Sequence, residues 1–146
     1  MDEAALREGL STAVPFNAHL GLEYREIGPG RCVVALPDER HLQNHLGSQH
    51  GSGLFAAGEA ASGGAFTATF AEELGELRPL ILGAEIQYMK LPRGEILAEA
   101  RIAEPPSDIR RRLDDDGVVS FDVEVSMRDT EREVAQMTAR WRLKRR

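Results

Sequence analysis

A chain of 146 residues, 42% apolar and 29% charged, has the length for one domain with one core, and a single domain spanning 1–146 is expected. Its net charge of −6 argues against a nucleic-acid partner, because affinity for polyanions is carried by basic contacts to phosphate. No long apolar run offers a membrane span, the acidic opening MDEAALREGL lacks a signal-peptide layout, and the lone Cys32 permits no internal disulfide, so the expected location is cytoplasmic.

Asp2 to Thr12 place Ala4, Ala5, Leu6 and Leu10 among charges, the pattern of a short amphipathic helix, with Pro15 expected to end it or bend the chain. Leu22 to Ile27 and Arg31 to Leu36 read as strands joined by the turn Gly28-Pro29-Gly30. A loop from Pro37 to His50 follows. From Gly51 to Phe70 the chain is nearly all apolar or tiny: between Ala56 and Ala65 every residue but Glu59 is Ala, Gly or Ser. Gly58, Gly63 and Gly64 each cost a helix about 1 kcal/mol relative to Ala, so a helix here implies close approach of neighbouring structure. Being apolar on most sides, it is expected to be buried.

The C-terminal half reads as antiparallel β. Val119, Phe121, Val123, Val125 and Met127 alternate with polar residues, as do Ala135, Met137, Ala139, Trp141 and Leu143. Weaker strands fit Leu80 to Met89 and Glu95 to Ala103, separated by Leu91-Pro92-Arg93-Gly94. Two strands, one long helix and four strands predict an α+β fold with a single antiparallel sheet wrapped around the helix. Cys32, mid-strand, reads as a small core hydrophobe.

Glu59 carries the chemical interest. Phe55 precedes it by four residues, while Phe66 and Phe70 follow by seven and eleven, so all are expected on its side of the helix. Such a carboxylate is either a functional acid or base, or a group whose partner or solvent access the sequence does not reveal. Upstream, Gly51 and Gly53 leave the helix entry open, where unbonded N–H groups and the helix dipole suit a developing oxyanion. Glu59 would lie about 12 Å along the axis from Gly51. Two chains running antiparallel could bring one Gly51 to the other's Glu59. His41, His45 and His50 lie in a loop without a second group of carboxylate or Cys ligands, so no metal is expected. Nucleophile-elbow and phosphate-loop patterns are absent.

Asn44, six residues before His50-Gly51, and Glu59, eight after Gly51, resemble the motif of the small hotdog-fold thioesterases, in the branch with the phenylacetate-pathway and 4-hydroxybenzoyl-CoA types. The order of elements agrees across nearly the whole chain, and Tyr88-Met89-Lys90-Leu91-Pro92-Arg93-Gly94 resembles the strand end before that family's CoA-facing turn. The resemblance implies a hotdog fold and hydrolysis of an acyl-CoA. Gly51 N–H would polarise the thioester carbonyl, and Glu59 of the facing subunit would attack it or activate water. Asn44 would position water or carbonyl, and His50 would orient the loop or the sulfur side. Where the family often has Ser or Thr one turn after the carboxylate, this chain has Gly63. Ser62 and Gly63 are the candidate substrate contacts there.

The implied partners are acyl-CoA and a second copy of the chain, as a homodimer or dimer of dimers, with no cofactor beyond the CoA of the substrate. Lys90 and Arg93 are expected to meet the CoA phosphates, with Arg110 to Arg112 next. The intact Glu59 favours hydrolysis over a non-catalytic acyl-binding or regulatory module. The D-x-N-P-x-H loop of a hydratase is absent.

Overall fold

The computed structural model describes residues 2–146. Asp2 caps the first helix, α1 (Glu3–Ala13), by accepting a 2.8 Å bond from Ala5 N–H. Pro15 does not simply stop this helix. It starts a second, α2 (Pro15–Leu20), at the one end where a missing N–H is harmless, and Gly21 closes it in a left-handed conformation. The hairpin of β1 (Glu23–Gly28) and β2 (Arg31–Leu36) forms as expected, and α3 runs from Gly51 to Thr69.

After a short 3₁₀ segment (Ala71–Glu76) come β3 (Leu77–Tyr88), β4 (Ile96–Ile102), β5 (Val118–Arg128) and β6 (Glu133–Arg145). All pairings are antiparallel, in the order β1-β2-β4-β5-β6-β3. Besides α2, a second helix was not expected: α4 (Pro106–Asp116), between β4 and β5. It buries only Ile109 and Leu113 and is otherwise dominated by charges, so it offers little apolar periodicity to read.

The sheet curls around α3, whose Leu54, Ala57, Ala61 and Ala65 are fully buried, and the helix packs on β1, β2, β4, β5 and β6. The predicted strand faces are the observed ones. On β5, Val119, Phe121, Val123, Val125 and Met127 are all buried; on β6 so are Ala135, Met137, Ala139 and Leu143, with Trp141 half-buried at the rim. The opposite face of the sheet carries ion pairs such as Asp122–Arg140 and Glu99–Arg101, which keep it wet.

Close approach explains the glycines unevenly. A Cβ on Gly64 would lie 2.4 Å from the Cys32 sulfur, so only glycine lets helix and β2 meet there. A Cβ on Gly63 would stand at an ordinary 3.7 Å from Trp141. Burial in this contact pushes the Cys32 thiol up to about 12, so it remains protonated and serves as packing.

Candidate active site

α3 presents two ends of one candidate site. At its entry, Gly53 and Leu54 N–H both donate to the His50 carbonyl, and Ser52 N–H donates to His50 Nδ1 at 2.9 Å. The Gly51 N–H alone among the first-turn donors has no partner among the described residues. With Nδ1 accepting, a neutral His50 ring carries its proton on Nε2, facing solvent. His50 is thus an N-cap that aims the helix entry.

Asn44 organises the loop before it. Its Oδ1 accepts from Leu46 and Ser48 N–H, and its Nδ2 donates to Ser48 Oγ at 2.8 Å, leaving one amide hydrogen uncommitted. Asn44, Gly51, Tyr88 and Lys90 line one cavity of about 320 Å³. Arg93 is exposed on the same turn but outside this lining; its backbone N–H is held by Asp129.

Glu59 lies on a second, larger cavity of about 640 Å³, together with Phe55, Gly63, Phe66 and Trp141. The Glu59 carboxylate is half-buried and has no hydrogen bond or ion pair among the described residues. Two of the three aromatics expected beside it are there. Phe70 is not: the backbone leaves helical geometry at that residue, whose ring is buried with the Arg110 guanidinium 4.9 Å above its centre.

Ser62 also departs from expectation. It is fully buried, its hydroxyl donating to the Glu59 carbonyl at 2.7 Å and accepting from Trp141 Nε1 at 2.9 Å. In place of a substrate contact it fixes the indole that forms a cavity wall. Gly63 does line the cavity. Arg110 to Arg112 are engaged elsewhere: Arg110 with Glu73, Arg111 with Asp108, and Arg112 with Glu104. Lys90 and Arg93 have no ion pair among the described residues, so the turn beside the helix entry carries two uncommitted cations.

Sequence reasoning missed two residues. Tyr88 lines both cavities, its hydroxyl donates to the Gly51 carbonyl at 2.9 Å, and its ring stands 3.1 Å from where a Cβ on residue 51 would be. Burial raises its phenol above the ordinary tyrosine range, which keeps it a donor. Gln49, nearly fully buried, donates through Nε2 to the Pro37 and Gly94 carbonyls, clamping the helix entry to the turn that carries Lys90 and Arg93. The Tyr88 signal was its place in the segment Tyr88–Gly94 that resembles the strand end before the family's CoA-facing turn; Gln49 had none.

One antiparallel sheet curled around one long helix is the hotdog fold. Solved structures share it. The Pseudomonas aeruginosa protein PA5026, described as a probable thioesterase, matches with a TM-score of 0.87 at 23% identity, over 100% of this chain and 97% of that one. A thioesterase family protein from Silicibacter pomeroyi matches with 0.80 at 19% identity, over 98% of each chain. A mutant of the phenylacetic acid degradation protein PaaI from Thermus thermophilus matches with 0.69 at 19%, over 91% of this chain and all of that one. Sequence comparison with curated proteins finds no match. The chain belongs to the family described as domain of unknown function DUF4442, whose model matches residues 3–143.

Proposed function

We propose that this protein hydrolyses the thioester of an acyl-CoA, with Glu59 as base or nucleophile and Gly51 N–H as oxyanion donor. The observation that carries the reading is the unpaired Glu59 carboxylate in an apolar cavity, on the same helix whose first N–H is also unpaired. The thioesterase descriptions of structurally similar proteins support it. As a base, Glu59 takes a proton from water as its oxygen bonds to the thioester carbon, and the carbonyl oxygen gains charge against Gly51 N–H. Collapse breaks the carbon–sulfur bond and releases the CoA thiolate, a leaving group that needs little acid assistance; the thiolate then takes up, directly or through water, the proton held by Glu59, which restores the carboxylate. The products are the free acid and CoA. The deciding experiment is thiol release from a panel of acyl-CoAs by the wild type and by Glu59→Gln.

Gly51 and Glu59 of one chain lie about 12 Å apart along α3 by helix rise, too far to serve one carbonyl. The reading therefore needs two chains running antiparallel. β3 suits this, because it is an edge strand of 12 residues with Leu80, Leu82 and Tyr88 about half exposed. Sedimentation at micromolar concentration is expected to give a dimer or a dimer of dimers. An active monomer would sink the shared site.

Lys90 and Arg93 would receive the CoA phosphates. Replacing both with alanine should raise KM for acyl-CoA by about tenfold or more, on a scale of about 1 kcal/mol for each partly screened charge contact, and leave KM for a phosphate-free thioester nearly unchanged. Equal losses on both substrates would assign the pair a structural role.

A further inference from the structure

We infer that the cavity beside Glu59 is a channel for an unbranched, uncharged acyl chain of medium length, and that Gly63 sets the length it accepts. The acyl identity rests on the thioesterase reading above; the channel rests on its own geometry. Along α3 the cavity is lined by Ser52, Phe55, Glu59, Gly63 and Thr67, spaced by three or four residues and therefore on one helix face. Ser52 to Thr67 is about 22 Å by helix rise, so the space is elongated, and about 12 Å of it lies beyond Glu59. That is the reach of an extended medium-length chain, and a compact ring would leave the distal half empty. The volume of about 640 Å³ is that of a ligand site.

The walls settle the chemistry of the tail. Leu10, Phe16 and the inter-helix Val14 line the space together with Phe66 and Trp141, and Glu59 is the one charged lining residue among the described residues. A carboxylated tail would lose its water without meeting a cation and would be repelled near Glu59. Flexible alkyl chains suffer neither cost.

Gly63 is the point where the channel can be shortened. A Cβ there is in ordinary contact with Trp141 at 3.7 Å, so an alanine fits, whereas any longer side chain must enter the channel. The chain's one tryptophan, Trp141, reports occupancy of this space directly.

The test titrates the full-length protein with hexanol, octanol and decanol, following Trp141 fluorescence, with benzyl alcohol as the compact comparator. Kd is expected to fall about fourfold per added methylene, the effect of burying one CH₂. Gly63→Leu should remove the gain from octanol to decanol, and Phe16→Ala should weaken decanol binding about threefold or more by opening the wall. Since Gly63→Leu tests packing as well, the wild-type slope and the Phe16 variant stand as independent readouts. A flat response from hexanol to decanol, tighter binding of benzyl alcohol than octanol, or no fluorescence change would each overturn the channel. A steep slope without thiol release from octanoyl-CoA would overturn hydrolysis and leave the channel. Thiol release with a flat slope would do the reverse.

Discussion

Glu59→Gln is expected to lower kcat for thioester hydrolysis by about a hundredfold or more, the usual loss when a positioned base is removed. The substitution keeps the size of the side chain and takes away its charge and proton affinity. Because the Glu59 carboxylate has no hydrogen bond or ion pair among the described residues, no partner is orphaned by the change. Its half-buried position means the amide can be solvated as the carboxylate was. Stability should therefore stay within about 0.5 kcal/mol, as for surface substitutions that break no feature. Thiol release and a thermal melt on this one variant separate the two readings of the residue. A normal kcat would end the case for Glu59, and a normal kcat with a changed midpoint would make it a packing residue. Substrate KM should move little, since the substitution keeps the volume of the side chain, and the rest of the acyl channel and the CoA end are formed by other residues.

The second large effect is on the fold. Gly63→Ala and Gly64→Ala are expected to change stability in opposite directions. At Gly64 the added methyl would sit 2.4 Å from the Cys32 sulfur, 3.1 Å from its Cβ and 3.4 Å from the Tyr24 ring. Cys32 is fully buried on β2, so it has nowhere to yield without moving the strand. Overpacking of this kind costs about 1–3 kcal/mol, and the gain in helix propensity of about 1 kcal/mol offsets only part of it. At Gly63 the contact is ordinary, and alanine should stabilise by about 0.5–1 kcal/mol. The two variants should then differ by about 2 kcal/mol, about 4–8 °C in Tm for a chain of this size. Adding Cys32→Ala to Gly64→Ala should recover part of the loss, because it removes the blocking atom. A Gly64→Ala protein as stable as wild type would refute the close packing of α3 on β2.

What the sequence determined by itself was local and periodic. The alternation through Val119–Met127 and Ala135–Leu143 specified which side chains of β5 and β6 face the core, because a strand turns every second residue to the same side. The Ala- and Gly-rich run from Gly51 to Phe70 marked the buried helix, which ends one residue earlier at Thr69, and Gly28-Pro29-Gly30 marked the first hairpin. The resemblance to the hotdog thioesterase motif picked out Asn44, His50-Gly51 and Glu59, and helix rise then kept Gly51 and Glu59 apart. The same reading ran out wherever an outcome depended on a neighbour distant in the chain. α4 has only Ile109 and Leu113 to bury, too few to make a period. Phe70 shares the wheel position of a cavity residue, yet the helix ends before it and the ring turns under Arg110.

Ser62 is polar and was itself an expected contact, but the indole of Trp141, 79 residues on, claims its hydroxyl. Tyr88 reaches the carbonyl of Gly51 only because β3 runs along the far edge of the sheet to the mouth of α3. Gly63 and Gly64 are the same residue type in successive positions of one helix, and no local rule tells them apart. One step of about 100° around the helix turns the first toward open space beside Trp141 and the second into the sulfur of Cys32, and only the packed sheet decides which of them must be glycine.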